Sequence, residues 1–124
     1  HEVSVAAAPY WQIAWEAMFA AGIHKGGRMP GHAGRFETSL IMADRPELVV
    51  EPRPSRDLPA DIEEPRGPAQ YRADHYTFWS SIDGYTDSPA AATAEFGQAA
   101  FDAVIGAVAD AFVAFHGEAV AARR

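Results

Sequence analysis

His1-Glu2-Val3-Ser4-Val5-Ala6-Ala7-Ala8-Pro9-Tyr10-Trp11-Gln12-Ile13-Ala14-Trp15 is the stretch whose reading decides the fold. Val3 to Ala8 is short, apolar and β-capable, and it predicts a buried strand. Pro9 follows directly, a residue suited to the first position of a helix because its missing N–H costs nothing there. From Tyr10 to Ala21, Trp11, Trp15, Met18 and Phe19 recur at helical spacing and Gly22 supplies a stop. A strand running straight into a helix predicts an α/β architecture.

Outward from there, Gly22, Gly26, Gly27, Gly31 and Gly34 make residues 22–35 a glycine-dense loop that can bring its backbone close to a ligand. A second helix is expected to open near Phe36, to run through Thr38, Leu40 and Met42, and to break at Pro46, with a turn possible at Pro46-Glu47-Leu48. Residues 51–74 carry five prolines and ten charged residues. They read as a polar excursion outside the core. An aromatic-rich stretch from Tyr76 to Tyr85 includes the turn signal Asp83-Gly84. Ser88-Pro89 then predicts the cap and first residue of a long helix, with Phe101, Ile105, Val108, Phe112 and Phe115 as its core-facing stripe.

Composition bounds the function. The chain has 124 residues, a length that suits one domain. It has no cysteine, which excludes disulfides, thiolate zinc sites and a cysteine nucleophile. A net charge of -7 argues against nucleic-acid and anionic-membrane binding. No uninterrupted apolar run reaches the ~20 residues of a bilayer span. The first residue is His rather than Met, so a preceding segment is expected.

The chemistry concentrates in Gly31-His32-Ala33-Gly34-Arg35-Phe36-Glu37-Thr38-Ser39. A histidine between glycines sits on backbone that turns sharply and leaves the imidazole free to move protons or bind a metal. The helix start behind it aims N–H groups into the same space, where they favour an anion. Spacing alone also allows a plain loop histidine and a helix-capping Glu37. His24 and His75 read as surface histidines of polar loops.

This run, continued by Leu40-Ile41-Met42-Ala43-Asp44-Arg45-Pro46-Glu47-Leu48-Val49, resembles the creatininase (creatinine amidohydrolase) family. There a His-Gly/Ala-Gly motif leads to Glu-Thr-Ser, a short helix and Pro-Glu/Asp-Leu-Val. Pro9-Tyr10-Trp11 resembles the aromatic end of the family's preceding strand. Gly84-Tyr85-Thr86-Asp87-Ser88-Pro89 and Ala92-Thr93-Ala94-Glu95-Phe96-Gly97 resemble its later turn and helix start.

The resemblance implies an α/β fold, a three-layer α/β/α sandwich, of which residues 1–124 form the C-terminal half of one domain. The family's Glu-x-His pair, downstream Asp and Asn-Gly-His motif, which hold a dinuclear divalent centre (Zn, Mn or Fe), have no counterpart here. The implied partner is therefore an N-terminal half, cleaved or separately encoded, that supplies the metal ligands; this chain itself supplies none. The implied function is metal-dependent hydrolysis of an amide, lactam or peptide C–N bond by an activated water. His32 is the implied proton shuttle and Glu37 its orienting carboxylate. Trp11, Arg28, Gly31, Gly34 and Arg35 are the implied substrate-binding residues.

Creatininase proper has a tryptophan at the position of Arg28, so creatinine itself is not the expected substrate. Arg28 and Arg35 suit a carboxylate or phosphate instead. The Gly31–Arg35 form resembles more closely the members that cleave peptide bonds in a redox-cofactor precursor. A cytoplasmic homo-oligomer of the assembled unit, with no nucleic acid and no membrane, completes the expectation. The alternative is a non-catalytic, degenerate half that binds a partner or builds an oligomer.

Overall fold

Tyr10–Ile13 and Trp15–Ala20 form helices α1 and α2 where one helix was expected. Pro9 stands just outside α1, with extended dihedrals, and its carbonyl accepts from the amides of Gln12 and Ile13. The break falls at Ala14, whose small side chain is fully buried together with Met18 one turn on. Gly22 ends α2 in the left-handed region, at φ +71°. Its amide reaches the carbonyl of Phe19, and the amide of Ile23 reaches that of Met18. That pair of bonds satisfies the last carbonyls of the helix, and the buried Ile23 and Met18 sit at the positions where such an ending makes its apolar contact.

The structure is a computed structural model that describes residues 3–24, 31–56 and 76–122. It divides into two units, residues 1–29 with 99–124, and residues 30–98. Among the described residues there is no strand. Val3 to Ala8 is exposed and forms no strand with any described segment, which corrects the expected buried strand. The reason is physical: a strand is stable only where a neighbour takes its amides and carbonyls, and none of the described segments does so here.

The second unit is built around α3, Arg35–Asp44, which buries Phe36 and Ser39 and is followed by a 3-10 turn at Pro46–Leu48. A short helix α4, Tyr76–Ser81, ends as α2 does, here with Asp83 and Gly84 at positive φ and the Gly84 amide on the Trp79 carbonyl. Ser88-Pro89 does not open the long helix. Pro89–Ala91 is a separate 3-10 turn, and the Ser88 hydroxyl accepts from the Arg56 amide instead of capping. The chain extends at Ala92, and Thr93 becomes the cap: its Oγ1 accepts from the Phe96 amide at 3.1 Å as α5, Ala94–Ala121, begins.

The first residues of the expected polar excursion are not free of the core. The Arg53 guanidinium donates to the Ala92 carbonyl, and the Arg56 guanidinium donates to the Ile82 carbonyl, each at 2.8 Å. Arg56 also lies over the Tyr85 ring, 4.4 Å from its centre. Residues 57–74, the rest of that excursion, lie outside the described residues.

The boundary between the units falls within α5, after Gln98. The apolar stripe of α5 is not the buried core that its spacing predicts. Ile105 is 61%, Phe112 69% and Val113 74% exposed. By length and composition this helix could cross a bilayer, a property that counting uninterrupted apolar runs misses because scattered acids interrupt it. The same test is passed by the core helix of a soluble protein.

Two glycines of α5 make opposite predictions. A Cβ at Gly97 would fall on the backbone carbonyl of Ser39, whereas one at Gly106 would meet open space. Gly97→Ala should therefore lower the melting temperature by forcing α3 and the start of α5 apart, a cost of about 1–3 kcal/mol. Gly106→Ala should raise stability by about 0.4–1 kcal/mol through helix propensity and reduced unfolded-state entropy. Thermal melts of the two full-length variants, followed by circular dichroism, check both signs.

Candidate functional site

The loop before α3 is held by residues more than fifty positions later. The His32 amide donates to Thr86 Oγ1 at 2.7 Å, and the Thr86 amide donates back to the His32 carbonyl at 2.9 Å. Gly31 and Ala33, on either side of His32, take positive φ values of 76° and 49°. For Ala33 this region is unfavourable, so the surrounding bonds must hold it there. The Ala33 amide donates to Glu37 Oε2, so the carboxylate in the first turn of α3 bonds back to the loop, much as in a capping box.

The His32 ring projects from this fixed backbone and stays 54% exposed. Its Nδ1 lies 3.9 Å from Glu37 Oε2, too far for a hydrogen bond. On another side the Trp79 indole of α4 meets it edge to face, with centroids 4.7 Å apart. The imidazole thus has a carboxylate and an aromatic ring as walls, and solvent on its open side.

Of the residues expected in the site, His32, Glu37, Gly31, Gly34 and Arg35 come together on this loop and first turn. Trp11 belongs to the other unit, half-buried on α1 with its ring edge-on to Tyr10. Arg28 lies outside the described residues, as does His75. The Arg35 guanidinium is placed over the Phe96 ring, 3.9 Å from its centre. The anion expected at the helix start is supplied by the protein itself: Asp87 Oδ2 accepts from the Arg35 amide at 3.0 Å. Gly31 and Gly34 have a packing reason to be glycine. A Cβ at Gly31 would lie 2.8 Å from Asp87 Oδ1, and one at Gly34 would fall on the same carboxylate.

Thr86, Asp87 and Trp79 are the contributors that spacing did not single out. The signal that bears on them is that two glycines flank His32 at a distance where small size, not only flexibility, is needed. His24, expected at the surface, is buried. Its Nε2 donates to the Trp15 carbonyl at 2.9 Å and its ring stacks on Trp15 at 3.9 Å, which makes it a packing residue of the first unit.

Among the described residues no three His, Asp or Glu side chains gather where they could hold a metal ion. His32 and Glu37 offer two donors, and Glu37 already accepts from the Ala33 amide. These residues therefore do not by themselves fit a metal centre.

A family model described as creatinine amidohydrolase matches residues 2–112. No curated protein and no solved structure matches the chain.

The Glu37 contact makes a local prediction. Glu37→Ala should speed hydrogen exchange of the Ala33 amide about five- to tenfold, the equivalent of one lost hydrogen bond. Glu37→Gln, which keeps an acceptor oxygen, should leave it close to wild type. Residue-resolved exchange by NMR reads both.

Proposed function

The chain belongs to the creatininase family, whose members are typically metal-dependent hydrolases of C–N bonds, and on that premise we propose that it is the proton-transferring part of such an amidohydrolase. The observation that carries this reading is the His32 imidazole: exposed, on a backbone pinned at both its amide and its carbonyl, with Glu37 beside Nδ1 and Trp79 against the ring. Glu37 stands on the Nδ1 side of the ring, which leaves Nε2 as the atom that meets substrate. In hydrolysis of an amide, lactam or peptide bond, that nitrogen takes up a proton and hands it to the leaving amine, the step without which the C–N bond reforms.

In this reading the ions that the family uses are held by a partner, the N-terminal half of the same enzyme. The uncovered apolar stripe of α5 supports a chain that works against further protein surface. Arg35, beside the loop, suits a substrate with a carboxylate or phosphate. A cytoplasmic homo-oligomer is the setting we propose. The same exposed stripe also favours the second reading, a non-catalytic half that only binds a partner or builds an oligomer.

The deciding experiment is His32→Ala in the assembled protein, assayed on amide, N-formyl and lactam substrates alongside metal analysis. Turnover should fall by about 10²–10⁴-fold, the usual contribution of a general acid–base, while metal content stays unchanged. Undiminished turnover removes His32 from the chemistry. An assembly with neither bound metal nor turnover supports the non-catalytic reading.

A further inference from the structure

We propose that Thr86 and Asp87 are positioning residues for His32, an inference that rests on the proton-transfer reading of that histidine and deepens it. Thr86 bonds to the backbone of His32. It takes the His32 amide on Oγ1 and gives its own amide to the His32 carbonyl, at 2.7 and 2.9 Å. These two bonds fix the peptide planes on both sides of the His32 Cα. The imidazole is then left with its two side-chain torsions as its freedom.

Asp87 acts one step further out. One carboxylate oxygen accepts from the Arg35 amide at the start of α3, at 3.0 Å. The other lies 3.4 Å from Thr86 Oγ1. Between them the carboxylate occupies the hollow left by Gly31 and Gly34. The loop is therefore gripped from inside its own turn: Asp87 ties it to the helix, and Thr86 ties it at the histidine. Thr86 is buried, so its bonds to the loop are shielded from competing water.

The grip matters because the loop is not held by its own preferences. Ala33 sits at φ 49°, a conformation that a free chain of this sequence would leave readily. Released, the loop would relax and carry His32 away from Glu37 and Trp79. A proton carrier displaced by about 1 Å loses on the order of 10²-fold in rate.

The test reads His32 directly and does not need turnover. The full-length protein in its native assembly is labelled with ¹³C-histidine, and the His32 ring signals are assigned among the five histidines with His32→Gln. Thr86→Val keeps the shape and removes the hydroxyl. It should shift or broaden the His32 ring signals beyond their linewidth, and Thr86→Ser should restore them. Thr93→Ala, which removes the cap of α5, loses stability elsewhere and should leave those signals in place, separating positioning from general loosening.

Gly34→Ala should perturb the signals, yet add nothing further in an Asp87→Gly background, because the clash partner is then gone. Unchanged His32 signals in Thr86→Val, an equal change in Thr93→Ala, or additivity of Gly34→Ala with Asp87→Gly overturns the proposal. Should His32→Ala keep full turnover, the proton-transfer reading fails by itself, while the ring signals still decide whether the clamp exists.

Discussion

A single carboxylate inside a turn organises the second unit. Asp87 occupies the start of α3 and accepts from the Arg35 amide there, in a hollow that exists only because residues 31 and 34 have no side chain. An N-terminal helix amide left without an acceptor costs free energy, and a negative charge at that end also meets the positive pole of the helix. Thr86, the next residue back along the chain, then closes its exchange of bonds with His32. The helix start, the left-handed loop and the exposed histidine are consequences of one contact made across more than fifty residues of chain.

The second close approach, between Gly97 and the carbonyl of Ser39, sets α3 against the start of α5. It is reinforced by Ser39 Oγ, fully buried, accepting from the Thr93 amide. Arg53 and Arg56 add the third link, each donating a guanidinium N–H to a backbone carbonyl, of Ala92 and Ile82 respectively. These are polar contacts between loops and helix ends, which is why this unit holds a defined site with little apolar bulk. Along α5 the balance is reversed: apolar side chains are plentiful and uncovered, and the helix carries a surface whose burial is worth about 25 cal/mol per Å² once another surface meets it.

Local chemistry was legible where it depends on neighbours in the chain. Gly22 and Asp83-Gly84 end helices in the left-handed conformation that their residue types favour, and α3 runs over the residues whose pattern announced it. Five residues of the run from Gly31 to Ser39 that the sequence proposed for the site lie on one loop and first turn, as neighbours in the chain must. The strand at Val3 to Ala8 was not legible, because a β-capable sequence becomes a strand only when a partner pairs with it. Nor was the start of α5: Ser88 and Thr93 are equally good caps on paper, and the choice was made by Arg56, whose amide took the Ser88 hydroxyl.

By itself, then, the sequence determined the family, the course of α3 and the glycine stops at Gly22 and Gly84, because each of these rests on residue type and spacing over a few positions. Only the tertiary structure decided which side chains surround His32. Thr86, Asp87 and Trp79 reach it from distant segments, and a contact of that kind depends on how the chain closes its loops, which no local pattern records. It also reassigned the anion-favouring helix start from a substrate to Asp87, and His24 from the surface to the packing around Trp15. In both cases the physical reason is the same: a hydrogen-bonding group takes the nearest partner that the fold provides.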